Sequence, residues 1–137
     1  MFVIDTNVVS ELRRPRKADA KVLEWAAEMA VDRLYLSVIT VLELELGALQ
    51  TARKDARHGA IIRSWIDKQV LTQFEGRILP VDTPVAQRCA RLHVPDPRSE
   101  RDALIAATAL VHGMTVVTRN VRDFERTGVL TLNPWKP

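Results

Sequence analysis

The sequence predicts a three-layer α/β/α sandwich on a mainly parallel central sheet. Five short apolar runs, Met1–Ile4, Leu34–Ser37, Ile78–Val81, Thr115–Thr118 and Val129–Leu132, punctuate the chain. Between them, apolar residues recur at the helical spacing i, i+3, i+4 and i+7. Runs without polar alternation suit strands buried on both faces, and strands that alternate with helices assemble into parallel sheets.

Met1–Ile4 stops at Asp5, and a short helix follows through about Leu12, broken by Arg13-Arg14-Pro15. Ala18 to Ala30 carries Val22, Trp25, Ala26 and Met29 at helical spacing, ahead of the second strand. Val38 to about Ala52 is helical, with Ile39, Leu42, Leu46 and Leu49 stacked on one face. Ala56 to Phe74 keeps the period through Ile61, Ile62, Trp65, Ile66 and Val70 until Gly76 ends it. After the third strand, Thr83 reads as an N-cap with Pro84 in the first helical position, where its missing N–H costs nothing. That helix runs to about His93, where Pro95-Asp96-Pro97 stops it. Ser99 caps a helix to about Val111, closed by His112-Gly113, and Val121 to Arg126 is a short helix between the last two strands.

Composition fits one globular domain over residues 1–137: 47% of residues are hydrophobic and 27% charged. A chain of this size buries about two thirds of its unfolded surface, so it needs neither disulfides nor a structural metal. The lone Cys89 agrees and points to a reducing compartment. The longest uncharged run, Ala103 to Thr118, is interrupted by His112 and Gly113 and falls short of the ~20 residues of a bilayer span. The N-terminus has neither a basic start nor a long apolar run, so a cytoplasmic protein is expected. A formal charge of +3 permits a nucleic-acid partner without demanding one.

Parallel sheets place their sites at the carboxyl ends of the strands, and acids stand there. Asp5 follows the first strand, Glu43 lies one turn into the helix after Ser37, and Asp123 follows Thr118-Arg119-Asn120. Asp102 lies one turn into the helix that begins near Ser99. Each also has a capping reading: Thr40 with Glu43, Ser99 with Asp102 and Asn120 with Asp123 have capping-box spacing or nearly so, and Asp5 can itself be an N-cap. Asp102 falls on the stripe of Ile105, Ala106 and Ala109 that faces the sheet, and no Lys or Arg lies within Ala103 to Thr118 to pair with it. A buried unpaired carboxylate is costly. Spacing alone leaves Glu43 and Glu45 open.

Carboxylates converging on one edge repel by about 4 kcal/mol per pair at about 4 Å and an effective dielectric near 20. A divalent cation removes that cost. The candidate ligands are all oxygen, and Cys89, His58, His93 and His112 form no zinc-like spacing, so Mg²⁺ or Mn²⁺ is expected. Such an ion beside Thr6, Asn7, Thr118 and Asn120 suits phosphodiester hydrolysis.

Four strings carry a resemblance: Val3 to Glu11 (VIDTNVVSE), Ser37 to Gly47 (SVITVLELELG), Asp102 to Ala109 (DALIAATA) and Val117 to Phe124 (VTRNVRDF). Together, and in this order, they resemble the PIN domains of VapC toxins, with the FitB-type members most similar, over nearly the whole chain. The resemblance implies that Asp5, Glu43, Asp102 and Asp123 form the catalytic and metal-binding quartet, which selects Glu43 over Glu45. Thr6, Asn7, Thr118 and Asn120 become polar groups around the metal or the scissile phosphate. Asp96 and Glu100 stay loop and helix-surface residues. It further implies a metal-dependent endoribonuclease, the toxin of a type II toxin-antitoxin system, with RNA as substrate. A VapB- or FitA-like antitoxin would inhibit it, the toxin would form a homodimer, and operator DNA would be met only through the antitoxin.

Arg13 and Arg14, in the densest basic cluster with Arg16 and Lys17, are candidate RNA-backbone contacts. Trp25 and Trp65 sit at helical spacing with aliphatics and are read as core or interface, and Trp135 as packing the C-terminus down. Two rival functions remain. A phosphoacceptor or phosphatase-type domain would use Asp5, but Asn7 stands where such phosphatases need a second acid. A catalytically silent RNA- or protein-binding module gains nothing from four acids in its groove.

Overall fold

The computed structural model describes residues 1–137 and bears out the three-layer architecture. Strands β1 (Phe2–Ile4), β2 (Leu34–Ser37), β3 (Ile78–Leu79), β4 (Thr115–Val117) and β5 (Thr131–Leu132) form one sheet in the order β3-β2-β1-β4-β5. Every pairing is parallel. All carboxyl ends therefore share one edge. The chain builds outward from β1 on one side through β2 to β3, then crosses to β4 and β5. The switch point lies between β1 and β4, where open α/β sheets form a crevice.

Alternate residues of the strands seed separate cores. Ile4, Leu36 and Val117 face α1 (Thr6–Leu12), α2 (Ala20–Glu28) and the rod that begins as α4 (Ala56–Trp65), with Val8, Val22, Trp25 and Ile66 buried among them. Val3 and Val116 face α7 (Glu100–His112), with Ile105, Ala106 and Ala109. Outside these, α6 (Thr83–Leu92) packs Val85 and Cys89 on Ala103 and Ala107 of α7. Trp135 rests against the first core, as expected.

Several sequence expectations are corrected. Pro80 has no N–H to extend the ladder, and β3 is only Ile78–Leu79; β5 is likewise shorter than Val129–Leu132. In α3 (Val38–Lys54) the buried residues are Ile39, Thr40, Leu44 and Ala48, while Leu42 and Leu49 are 45% and 62% exposed. This helix is apolar on more than one side, and packing against α4 selects the Leu44–Ala48 face. The N-cap of α6 is Asp82, one residue before Thr83, and its carboxylate accepts from the Val85 N–H at 3.1 Å. The helix expected from Ala56 to Phe74 contains a π segment, Ile66–Val70, before α5 (Leu71–Gln73), with the Leu71 N–H bonded to the Ile66 carbonyl. Residues 121–126 form only a 3₁₀ turn, Val121–Phe124. No helix is long and apolar enough to cross a membrane.

Helices α3 and α4 form an antiparallel hairpin whose closest approach is at Gly59. A Cβ there would stand 2.5 Å from Ala52 Cα, whereas one at Gly47 meets nothing within 4 Å. Gly59→Ala should cost about 1–3 kcal/mol by forcing backbone apart. Gly47→Ala should be neutral or stabilise by up to about 1 kcal/mol through helix propensity. Urea unfolding of the two variants checks the contrast.

Candidate active site

Asp5 ends the central strand and caps α1. Its side chain is directed by three bonds: Oδ1 accepts from the Thr6 N–H at 2.8 Å, and Oδ2 accepts from Thr118 Oγ1 at 2.8 Å and Asn7 Nδ2 at 3.1 Å. The residue is only 6% exposed. Burial pushes its carboxyl above the usual range against the pull of the Thr118 and Thr6 bonds, and the Glu43 charge adds to the rise. The capping reading of Asp5 holds, and the same geometry brings its second carboxylate oxygen to Thr118 and Asn7.

Asn7 and Thr118 tie β1 to β4 across the switch point. Asn7 Nδ2 also approaches Thr118 Oγ1 at 3.3 Å, and Asn7 Oδ1 accepts from the Arg119 N–H at 3.1 Å. The Asn120 N–H donates to Thr118 Oγ1 at 3.0 Å, while the exposed Asn120 contributes only its backbone. Thr6 performs the same service toward β2: its hydroxyl donates to Glu43 Oε1 at 2.6 Å and stands 3.3 Å from Thr40 Oγ1. The capping-box reading of Thr40 and Glu43 fails because Ser37 is the N-cap of α3, accepting from the Ile39 N–H at 3.0 Å.

Glu43 and Glu45 part company by direction. Glu45 faces α4, where Arg63 grips it in a bidentate pair and also binds Asp67 at 2.8 Å. The Arg63 bonds hold its carboxyl below the usual range. Glu43 faces Thr6, and its nearest cation is Arg101 Nη1, 3.8 Å from Oε2 and half exposed. Sequence reasoning missed Arg101. Its position beside Asp102 was a signal, yet the structure pairs it with Glu43 across helices rather than with its neighbour.

Asp102, on α7, is where the charges add. Burial first, then the charges of Asp123, Asp5 and Glu43, together raise its carboxyl to about 6 against a hydrogen bond from Ser99. Ser99 occupies the N-cap position of α7 but makes no side-chain capping bond, contrary to the sequence expectation. Asp123 lies on the exposed 3₁₀ turn, and Asn120 does not cap it. Asp96 and Glu100 are exposed and add nothing to the charge on Asp5 or Asp102. Arg13 and Arg14 stand apart, at the opposite end of α1 from Asp5.

As the side chains stand, no group of three or more His, Cys, Asp or Glu residues is arranged to hold a metal ion. The donor chemistry still fits a hard divalent cation: all oxygen, mutually repelling, with Arg101 the only base paired to any of the four acids. Asp5 is buried, Glu43 and Asp102 are half-buried, and Asp123 is exposed.

A family model for the PIN domain matches residues 2–130. The chain belongs to the PIN-domain family of VapC and FitB toxins. It is 37% identical to the VapC ribonuclease Y4jK of Sinorhizobium fredii over 100% of this chain and 99% of that protein. It is 36% identical to the toxin FitB of Neisseria gonorrhoeae, covering 98% and 99%. The FitAcB crystal structure from the same organism superposes with a TM-score of 0.91 at 34% identity, covering 100% of both chains. This VapC-type chain therefore keeps the PIN architecture throughout its length.

The charge on Asp102 has a testable sign. A raised carboxyl pKa means the folded chain binds the proton more tightly, so ionised Asp102 destabilises the metal-free fold at neutral pH. That cost disappears as pH falls through about 6 toward the ordinary value of 3.8. Asp102→Asn should therefore melt higher than wild type above pH 6 in chelator. The gap should close as pH falls from about 6 to 4, as followed by thermal denaturation.

Proposed function

We propose that this chain is a Mg²⁺- or Mn²⁺-dependent endoribonuclease, the toxin of a type II toxin-antitoxin pair, with Asp5, Glu43, Asp102 and Asp123 as its metal-binding and catalytic acids. The observation that carries this is that Asp5, Glu43 and Asp123 all act on Asp102, four carboxylate charges in one field with only Arg101, 3.8 Å from Glu43, to offset them. Family membership supports the reaction class, since relatives across the whole chain bear the name ribonuclease.

A divalent ion bound there would supply a hydroxide nucleophile near neutral pH and offset charge on the phosphoryl oxygens. The chain's own residues prepare for it. Thr118, Asn7 and the Thr6 N–H orient Asp5, and Thr6 Oγ1 aims Glu43. Thr118 is buried and serves to hold Asp5, while half-buried Asn7 and exposed Asn120 are the polar groups left to meet the strand that is cut. No second acid stands two residues after Asp5; Asn7 is there and bonds Asp5 itself, which disfavours a phosphoacceptor.

The pairing with a FitA- or VapB-like antitoxin is proposed by analogy with FitAB bound to DNA, 35% identical at a TM-score of 0.88. Contact with operator DNA would run through that antitoxin. We also propose a homodimer, supported by the exposed Leu42 and Leu49 on one face of α3.

Asp5→Asn and Asp102→Asn should each reduce RNA cleavage by at least about a hundredfold while the chain stays folded; gel assay of RNA with Mg²⁺ or Mn²⁺, beside circular dichroism, measures both. Millimolar Mg²⁺ or Mn²⁺ should raise the wild-type melting temperature by mass action, and Asp5→Asn should abolish the rise. Light scattering should give twice the 15.5 kDa chain mass, and Leu49→Asp should shift it toward the monomer.

A further inference from the structure

The acid pocket creates a problem for its own substrate. RNA is a polyanion, and four carboxylates repel it, so affinity has to come from another surface. Such a surface begins at the far end of α1. Arg13 and Arg14 line a groove of about 420 Å³ with Ser64, Lys68 and Gln69 of the α4 rod. The same two arginines line an adjoining groove of about 320 Å³ with Arg57 and His58.

These cations are uncompensated. The ion pairs of the chain involve only Arg63 and Arg101 as bases, so Arg13, Arg14, Arg57 and Lys68 have no carboxylate partner. The one acid lining the grooves, Asp55, is occupied as the N-cap of α4, accepting from the His58 N–H at 3.1 Å. Arg13 lies over the Trp65 ring at 6.0 Å. Its charge is disfavoured by burial and by Arg14, which an incoming anion would relieve.

We infer that the paired grooves between Arg13-Arg14 and α4 hold the phosphodiester backbone of single-stranded RNA flanking the scissile bond. The nearness of the acid pocket, one short helix away, favours an RNA strand that reaches both over an acidic protein segment. Helix α1 carries Asp5 at one end and Arg13 at the other, and seven residues at ~1.5 Å rise separate them by about 10 Å, within reach of one strand. Guanidinium forks and the ammonium of Lys68 bind phosphate oxygens without reading bases. The site rests on the ribonuclease reading for its substrate but takes no part in the chemistry.

The test uses the full chain carrying Asp102→Asn, so that RNA stays intact, and a fluorescein-labelled single-stranded RNA titrated at several salt concentrations. Arg14, Arg57 and Lys68 are exposed. The triple variant Arg14→Gln/Arg57→Gln/Lys68→Gln should lower the slope of log K against log salt by about 2, at ~0.7 per phosphate contact. Affinity should fall roughly tenfold or more for two unrelated sequences alike. Arg91→Gln, on α6 across the sheet, should change neither. Single variants at Arg14 and Lys68, each expected to lower the slope by ~0.7, serve if the triple variant does not fold. A wild-type slope in the groove variants overturns the proposal. Displacement of the RNA by poly-glutamate at equal or lower charge concentration also overturns it and assigns the grooves to an acidic protein segment. Wild-type chain that binds RNA through these residues yet fails to cut it with Mg²⁺ or Mn²⁺ would sink the ribonuclease reading and leave the groove standing.

Discussion

One carboxylate, that of Asp5, organises the carboxyl edge of this fold. It ends the central strand, sits almost wholly out of water, and is held by groups from its own helix start and from β4. A buried charge without such donors would be expelled or protonated. The junction is therefore one unit: Thr118 binds Asp5 only if β4 pairs with β1 in the observed register, Val117 beside Ile4. Asn7 binds both only if α1 starts immediately after the strand. The Asp5 N–H itself extends the ladder to Val117 O at 2.9 Å.

From that fixed point the site grows by progressively looser members. Glu43 is held through Thr6 and approached by Arg101, Asp102 leans into the field of the others from α7, and Asp123 hangs on an exposed turn. The gradient runs from buried Asp5 through half-buried Glu43 and Asp102 to exposed Asp123. Electrostatic strain concentrates on Asp102, the one acid that burial and three like charges load together.

The molecule separates its unpaired charges by sign along α1. Carboxylates gather at the amino end, and arginines without partners at the carboxyl end. Elsewhere, opposite charges are allowed to meet, as in the Glu45–Arg63–Asp67 network that locks the α3–α4 hairpin beside the tight Gly59 contact. Charges paired in this way are spent on structure, and those left apart are the ones available to a ligand. The apolar cavity of about 170 Å³ among Ile4, Leu12, Trp65 and Phe74 belongs to neither set and contains none of the four acids.

The sequence by itself determined the alternation of strands and helices, hence the parallel sheet and its acid-lined carboxyl edge, because apolar periodicity and caps are local signals. It placed Asp5 after a strand and Asp102 on a buried stripe for the same reason. It could not choose Glu43 over Glu45 without the family resemblance, since both lie on a helix with more than one apolar side; tertiary packing chose, by giving Glu45 to Arg63 and Glu43 to Thr6. The same ambiguity hid which face of α3 is buried, and Leu42 and Leu49 stayed in solvent. Arg101 was invisible because its partner lies on another helix, and the split of the basic cluster from the acids was invisible because α1 is short in sequence but sets its two ends at opposite tasks. Contacts between distant segments carry no periodicity, and only the folded chain could decide them.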